Sequence, residues 1–220
     1  MTFSSCLVEQ SPPLVLDASV IINLLATGHA GVILQTLPGR SYVTENVVSE
    51  INGGAGSGRP ESKQLLELIE RRNLEVVDLD ELALDSFIGI VSGSASESLG
   101  DGEAATLAFA HHRGLVAAID ERKATRIAAE RFTSLRIATT VDILAYPPVR
   151  RALGQEKLSM AVLDALRLAR MQVWATQFDW VVEQIGVANL TLCPSLRRLT
   201  KNLPASGNCL PPSGVFAPLA

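Results

Sequence analysis

The sequence predicts an α/β fold: a doubly wound parallel sheet of about five strands with helices on both faces, followed by a C-terminal helical extension. Three observations carry that prediction. Short, near-continuously apolar runs recur along the chain, segments with helical spacing alternate with them, and after Pro147 and Pro148 the pattern turns to helix alone. Strands covered on both faces have no solvated side, so they read as unbroken apolar runs instead of alternating ones.

Taken in order, an N-terminal segment, 1–13, leads to LVLD at Leu14 to Asp17 and then to VIINLLATG, where Gly28 marks a helix stop. SYVT at Ser41 to Thr44 is the second strand, and TENVVSEI a short helix after it. The segment ESKQLLELIERRN sets Leu65, Leu66 and Ile69 against a polar face and precedes the third strand, LEVVDL, at Leu74 to Leu79. An Ala-rich helix, GEAATLAFAHHRG, closes at Gly114, and LVAAID at Leu115 to Asp120 is the fourth strand. ERKATRIAAERF is a helix with a basic face, and LRIAT at Leu135 to Thr139 is the fifth strand. The sheet domain then occupies 14–148. An extension at 149–202 is read as helical from Glu156 to Gly186, with Leu158, Val162, Leu166 and Ala169 near one stripe. Residues 203–220, rich in Pro, Gly, Ser and Asn, are expected to be a mobile tail.

Composition narrows the function classes. At 47% hydrophobic residues the chain has enough apolar material for a sizeable core and does not fit disorder. No apolar run reaches the ~20 residues of a membrane-spanning helix, and the N-terminus lacks a basic then apolar leader. The expectation is a soluble, cytoplasmic protein with no membrane partner. Cys6, Cys193 and Cys209 are odd in number and lack neighbours at ligand spacing, which argues against a disulfide framework or a zinc site. With 23 acidic against 19 basic residues the net charge is -4, so contact with nucleic acid would need local basic clusters or a bridging metal.

The carboxylates hold the chemistry. An ionised carboxylate among apolar residues must be paired, solvated or holding a cation. Asp17 ends the first strand and Asp120 the fourth, and in an open parallel sheet ligands collect at the carboxyl ends of strands. Glu50 lies on the helix after the second strand, and Asp101 and Glu103 open the Ala-rich helix. Such acids would repel one another unless a divalent cation joined them, and oxygen-only ligands suit Mg2+ or Mn2+. Ser19, two residues past Asp17, could orient an acid or a water.

The stretches LVLDASVIINLL, VTENVVSEI, LGDGEAATLAFA and VAAIDERKATRIA resemble, in order, the four acidic motifs of the PIN domain family, to which the VapC-type toxins belong. The resemblance implies a metal-dependent nuclease over Leu14 to Leu144, with Asp17, Glu50, Glu103 and Asp120 as metal-binding and catalytic acids. Asp101 is the alternative acid of the third motif, and Ser19 is the small hydroxyl of the first. It further implies an RNA substrate, and leaves room for an antitoxin partner and a homodimer. The helical extension and the tail have no counterpart in minimal toxins of that family.

Plainer readings stand beside these. Asp17, Asp101 and Asp120 could each cap a helix, Glu50 could lie on a solvated face, and Asn23, which could hydrogen-bond within the site, reads more readily as a helix-surface or locally capped residue. NGGAGSGRPESK follows a helix and lacks the Lys-Ser/Thr of a phosphate loop, so it reads as a flexible loop, with Arg59 a candidate flap residue. His111 and His112 suit a helix C-terminus. Among the basic residues after Asp120, Arg122 is best placed to position a phosphate. Trp174, Phe178 and Trp180 lie far along the chain from the acids and read as core or partner surface. Two other functions remain open: a phosphoryl-transfer protein with Asp17 as nucleophile, although Ser19 stands where a second Asp is wanted, and a catalytically silent scaffold using the extension.

Overall fold

A computed structural model describes residues 3–53, 60–94 and 98–201. Arg59 and the expected tail at 203–220 lie outside the described residues. The five apolar runs become β1 (Leu14–Leu16), β2 (Ser41–Thr44), β3 (Glu75–Val77), β4 (Val116–Ala118) and β5 (Arg136–Ala138). All pair in parallel, in the order β3-β2-β1-β4-β5, with Leu14 beside Ser41 and Leu16 beside Ala118. Except at β2 the strands are shorter than their apolar runs, because the ladder stops where both partners turn away.

The unbroken apolar runs serve two cores. Leu14, Leu16, Val116 and Ala118 face one side, where they meet α1 (Ala18–Ala26), α2 (Ala30–Thr36), α3 (Glu45–Gly53), α4 (Pro60–Glu70) and α8 (Thr140–Ala145). Val15, Ala117 and Ile119 face the other, against α5 (Glu81–Val91), α6 (Asp101–Arg113) and α7 (Arg122–Arg131). Helix α6 is buried at Gly102 and from Ala104 to Ala110, with Glu103 half-buried, and closes at Gly114 in the left-handed conformation (φ 64°). Its small side chains let it lie between α3, α5 and the sheet. Helices α2, α5 and α8 have no counterpart in the sequence reading. Helix α5 has a clear start, since Asp80 accepts from the Ala83 amide at 3.0 Å, but α2 and α8 are too short for periodicity to mark.

The extension is helical but not the single run expected from Glu156 to Gly186. Helix α9 (Pro147–Leu168) starts at the proline pair, kinks at Gly154 and stops at Leu168. Residues 169–174 leave the helix, and after a short 3-10 turn α10 (Phe178–Ile185) follows, with α11 (Arg197–Thr200) further on. No Pro or Gly signals the break after Leu168. Tertiary bonds hold it: Gln177 accepts from the Trp174 amide at 3.0 Å and donates to Thr139 Oγ1 at 2.8 Å. Leu158, Val162, Leu166, Phe178, Trp180 and Val181 join the same core as β1 and α1. Among the described residues no single helix is long and apolar enough to cross a membrane.

Candidate active site

The strand order reverses beside β1: the chain runs outward to β2 and β3, then returns to place β4 on the other side. Ligands bind at such a switch point, beyond the carboxyl ends of the strands. Asp17 follows β1 directly and Asp120 lies just past β4, so adjacent strands deliver both acids to that point.

Asp17 caps α1 and faces the cleft at once. Its Oδ2 accepts from the Ser19 amide at 3.1 Å and the Ser19 hydroxyl at 2.7 Å, which orients the carboxylate. Its Oδ1 is buried with no hydrogen-bond partner. Asp120 is not a cap of α7, a role taken by Glu121. Instead Asp120 Oδ1 accepts from the Thr140 amide at 2.8 Å, and Oδ2 from Thr140 Oγ1 at 2.6 Å and Asn23 Nδ2 at 2.7 Å. Asn23 is thus buried and bonded within the site, the less favoured of its readings, because β1 and β4 are neighbours and α1, which follows β1, brings Asn23 to Asp120.

Asp17 and Asp120 open into a cleft of about 480 Å³. Glu50 and Glu103 line it as well, together with Glu121, so all four acids named by the motifs meet there. Gly102 permits the meeting: a Cβ at that position would collide with Glu50 Oε2 and press Val47 Cγ2 at 3.2 Å, so glycine lets Glu50 keep its place in the cleft where α6 approaches α3. Of the two acids left open in the third motif, Glu103 lines the cleft, and Asp101 lines the adjoining open pocket with Glu45 and Ser49. Two residues on a helix differ by about 200° in direction, so both cannot face one side.

Crowding and burial act on these acids in the same sense. Burial pushes Asp17 above the usual carboxylate range, despite the bonds from Ser19. Burial outweighs the bonds from Thr140 and Asn23 to take Asp120 to about 6, and burial with the Asp17 charge takes Glu103 to about 7. Glu50, at the rim, is raised by burial and then by Asp17 and Asp101. Each acid resists ionisation until a positive charge arrives.

A family model described as a PIN domain matches residues 13–185. The chain belongs to the PIN domain family. No curated protein and no solved structure matches it. The PIN domain match takes in the five strands and runs on through α9 and α10, and the fold is of nuclease type. Among the described residues no three His, Cys, Asp or Glu side chains make a ready cage for a metal. A hard divalent ion does not need one, since Mg2+ is commonly held by one or two carboxylates, waters and substrate phosphate. The orphaned Asp17 Oδ1 and the all-oxygen donor set fit such an ion.

Three polar or charged side chains on the cleft wall were not singled out in the sequence: Glu121, Arg170 and Gln172. Glu121 could have been found by its adjacency to Asp120. The other two come from the non-helical turn after α9 and have no local signal. Arg122 is not on the cleft wall; its guanidinium lies over the Trp174 ring, 5.7 Å from the centroid. Trp174 is therefore beside the start of α7 and not remote from the acidic motifs, as its place in the sequence had implied. His112 bonds Ser86 at 2.8 Å and His111 stacks on Phe132 at 4.5 Å, both away from the cleft. A second cavity, about 530 Å³, lies at the opposite edge of the sheet, before β2 and β3, and Glu75 is the one acid on its wall.

Proposed function

We propose that this PIN domain is a divalent-metal-dependent endoribonuclease, using Mg2+ or Mn2+ to hydrolyse RNA phosphodiester bonds. The observation that supports it most is the pair Asp17 and Asp120, side by side at the switch point in one cleft with Glu50 and Glu103, with Asp17 Oδ1 buried and unpartnered. Asp17, Asp120 and Glu103 would hold the ion. When bound, the ion supplies an activated water and neutralises charge developing on the phosphate.

The chain's own part is orientation and proton handling. Ser19 holds Asp17 Oδ2, which leaves Oδ1 free for the ion. Thr140 and Asn23 occupy both oxygens of Asp120 and hold its carboxylate rigid. Glu103 accepts from the Gly100 amide through Oε2. Burial and the Asp17 charge keep Glu103 protonated near neutral pH in the metal-free cleft, so it would give up that proton as the ion binds. None of these roles requires a protein nucleophile.

The test is cleavage of end-labelled single-stranded RNA with Mn2+ or Mg2+. Activity should vanish in EDTA and fall by about 100-fold or more in Asp17→Asn and Asp120→Asn, each confirmed folded by circular dichroism. Cleavage that survives EDTA, or both substitutions, would sink the proposal. The toxin half of a toxin–antitoxin pair is the biological role that the motif resemblance supports. Growth arrest on induced expression, absent with Asp120→Asn, is its test.

A further inference from the structure

A cleft built from carboxylates needs a positive group to receive a polyanion, and one arginine reaches it from far along the chain. Arg170 lines the cleft with Asp17, Glu50, Glu103, Asp120 and Glu121. It is exposed and, among the described residues, makes no ion pair with any of them. A flexible arginine beside five acids would ordinarily settle on one of them.

The backbone explains why Arg170 stands there. Its φ is 58°, a left-handed conformation that favours glycine over a residue with a side chain. Arg170 closes α9 in the left-handed conformation of a helix end, and the chain beyond it is tied down. The next residue, Met171, is buried, and its amide donates to the Ala165 carbonyl at 3.0 Å. Gln172 Nε2 donates to Glu121 Oε2 at 3.2 Å, on the cleft wall itself. Gln177 then bonds Thr139 Oγ1, beside the Thr140 that holds Asp120. A helix end followed by an anchored turn over the end of the sheet thus sets Arg170, without an ion pair, on the wall of an acidic cleft.

We infer that Arg170 grips a phosphate of the bound strand at the lip of the cleft, so that the turn after α9 is a substrate-binding element. This rests on the nucleic-acid reading of the site. The guanidinium fork matches two phosphate oxygens, and a strand lying between Arg170 and the acids would place its backbone between the arginine and the cation they hold. The grip is made equally before and during reaction, so its loss raises KM and leaves kcat nearly unchanged.

The variant Arg170→Gly suits a φ of 58°, relieving the turn while removing the charge; Arg170→Lys keeps the charge; Arg167→Ala, on the last turn of α9 and off the cleft wall, controls for net charge. The measurements are anisotropy of a fluorescein-labelled single-stranded RNA with Ca2+ in place of Mn2+, the strand checked to be intact, and steady-state cleavage with Mn2+. Arg170→Gly should weaken binding and raise KM by about tenfold and flatten the salt dependence by about one ion. Arg170→Lys, which keeps the charge but loses the fork, should fall between wild type and Arg170→Gly, and Arg167→Ala should bind as wild type does. Binding by Arg170→Gly equal to wild type, or an equal loss in Arg167→Ala, overturns the assignment even where cleavage is normal. Wild-type protein that binds RNA through Arg170 but does not cut it overturns the catalytic reading and leaves the grip. Protein that neither binds nor cuts overturns both.

Discussion

Asp17 shows how one side chain can serve the fold and the chemistry together. Oδ2 completes the start of α1, while Oδ1 has no partner, an arrangement that leaves part of its desolvation uncompensated. The same holds for the cluster as a whole, and it makes stability depend on pH. Asp120 is raised from 3.8 to about 6 and Glu103 from 4.5 to about 7. Between those values the folded chain holds protons that the unfolded chain has lost. The stabilisation from this uptake is therefore full below the ordinary carboxylate value and disappears as the pH rises through the folded values. In metal-free protein, calorimetric Tm should fall from about pH 5 to about pH 8 more steeply in wild type than in Glu103→Gln, and Mn2+ at the upper pH should restore it. Equal slopes in the two proteins would count against a buried, protonated Glu103.

At the scale of elements, the site depends on how near α3 comes to α6. Gly102 lies at that approach, and a glycine inside a helix would usually be improved by alanine, by up to about 1 kcal/mol. Here the methyl would meet Glu50 Oε2, the far end of a flexible side chain, and Val47 Cγ2, which must yield slightly. The fold can absorb the methyl by swinging Glu50 away, so Gly102→Ala should keep its Tm within a few degrees. It should also lose about tenfold in metal-dependent cleavage, because one acid is displaced. A large drop in Tm would mean that the two helices themselves are forced apart. The legibility of the elements follows a similar divide. β1, β4 and α6 were readable because their apolar runs and the Gly114 stop are local signals. The break after Leu168 was not, because the bonds of Gln177 and Met171 that hold it come from residues elsewhere in the fold.

At the scale of the whole molecule, α9 and α10 share the core of the sheet. Leu158, Val162, Leu166, Phe178, Trp180 and Val181 are buried with Leu14, Leu16 and Ile21. Each such side chain contributes about 1.5–3 kcal/mol, against a total stability of only about 5–15 kcal/mol for an ordinary domain. A chain cut after Pro148 should therefore fail to fold, losing its near-ultraviolet circular dichroism and exposing apolar surface to dye. A folded, metal-binding fragment would show instead that the helices are an accessory layer. Read from the sequence alone, the alternating strands and helices, the acids at the ends of β1 and β4 and the four-motif order were all determined, since each depends on residue type and spacing along the chain. Only the tertiary structure decided that Glu103 and not Asp101 faces the cleft, that Asn23 holds Asp120, and that Arg170 and Gln172 close the wall. Those outcomes depend on helix rotation, on strand adjacency and on a turn in a left-handed backbone conformation. Each is set by packing between segments distant in the chain, where no local pattern of residues has anything to say.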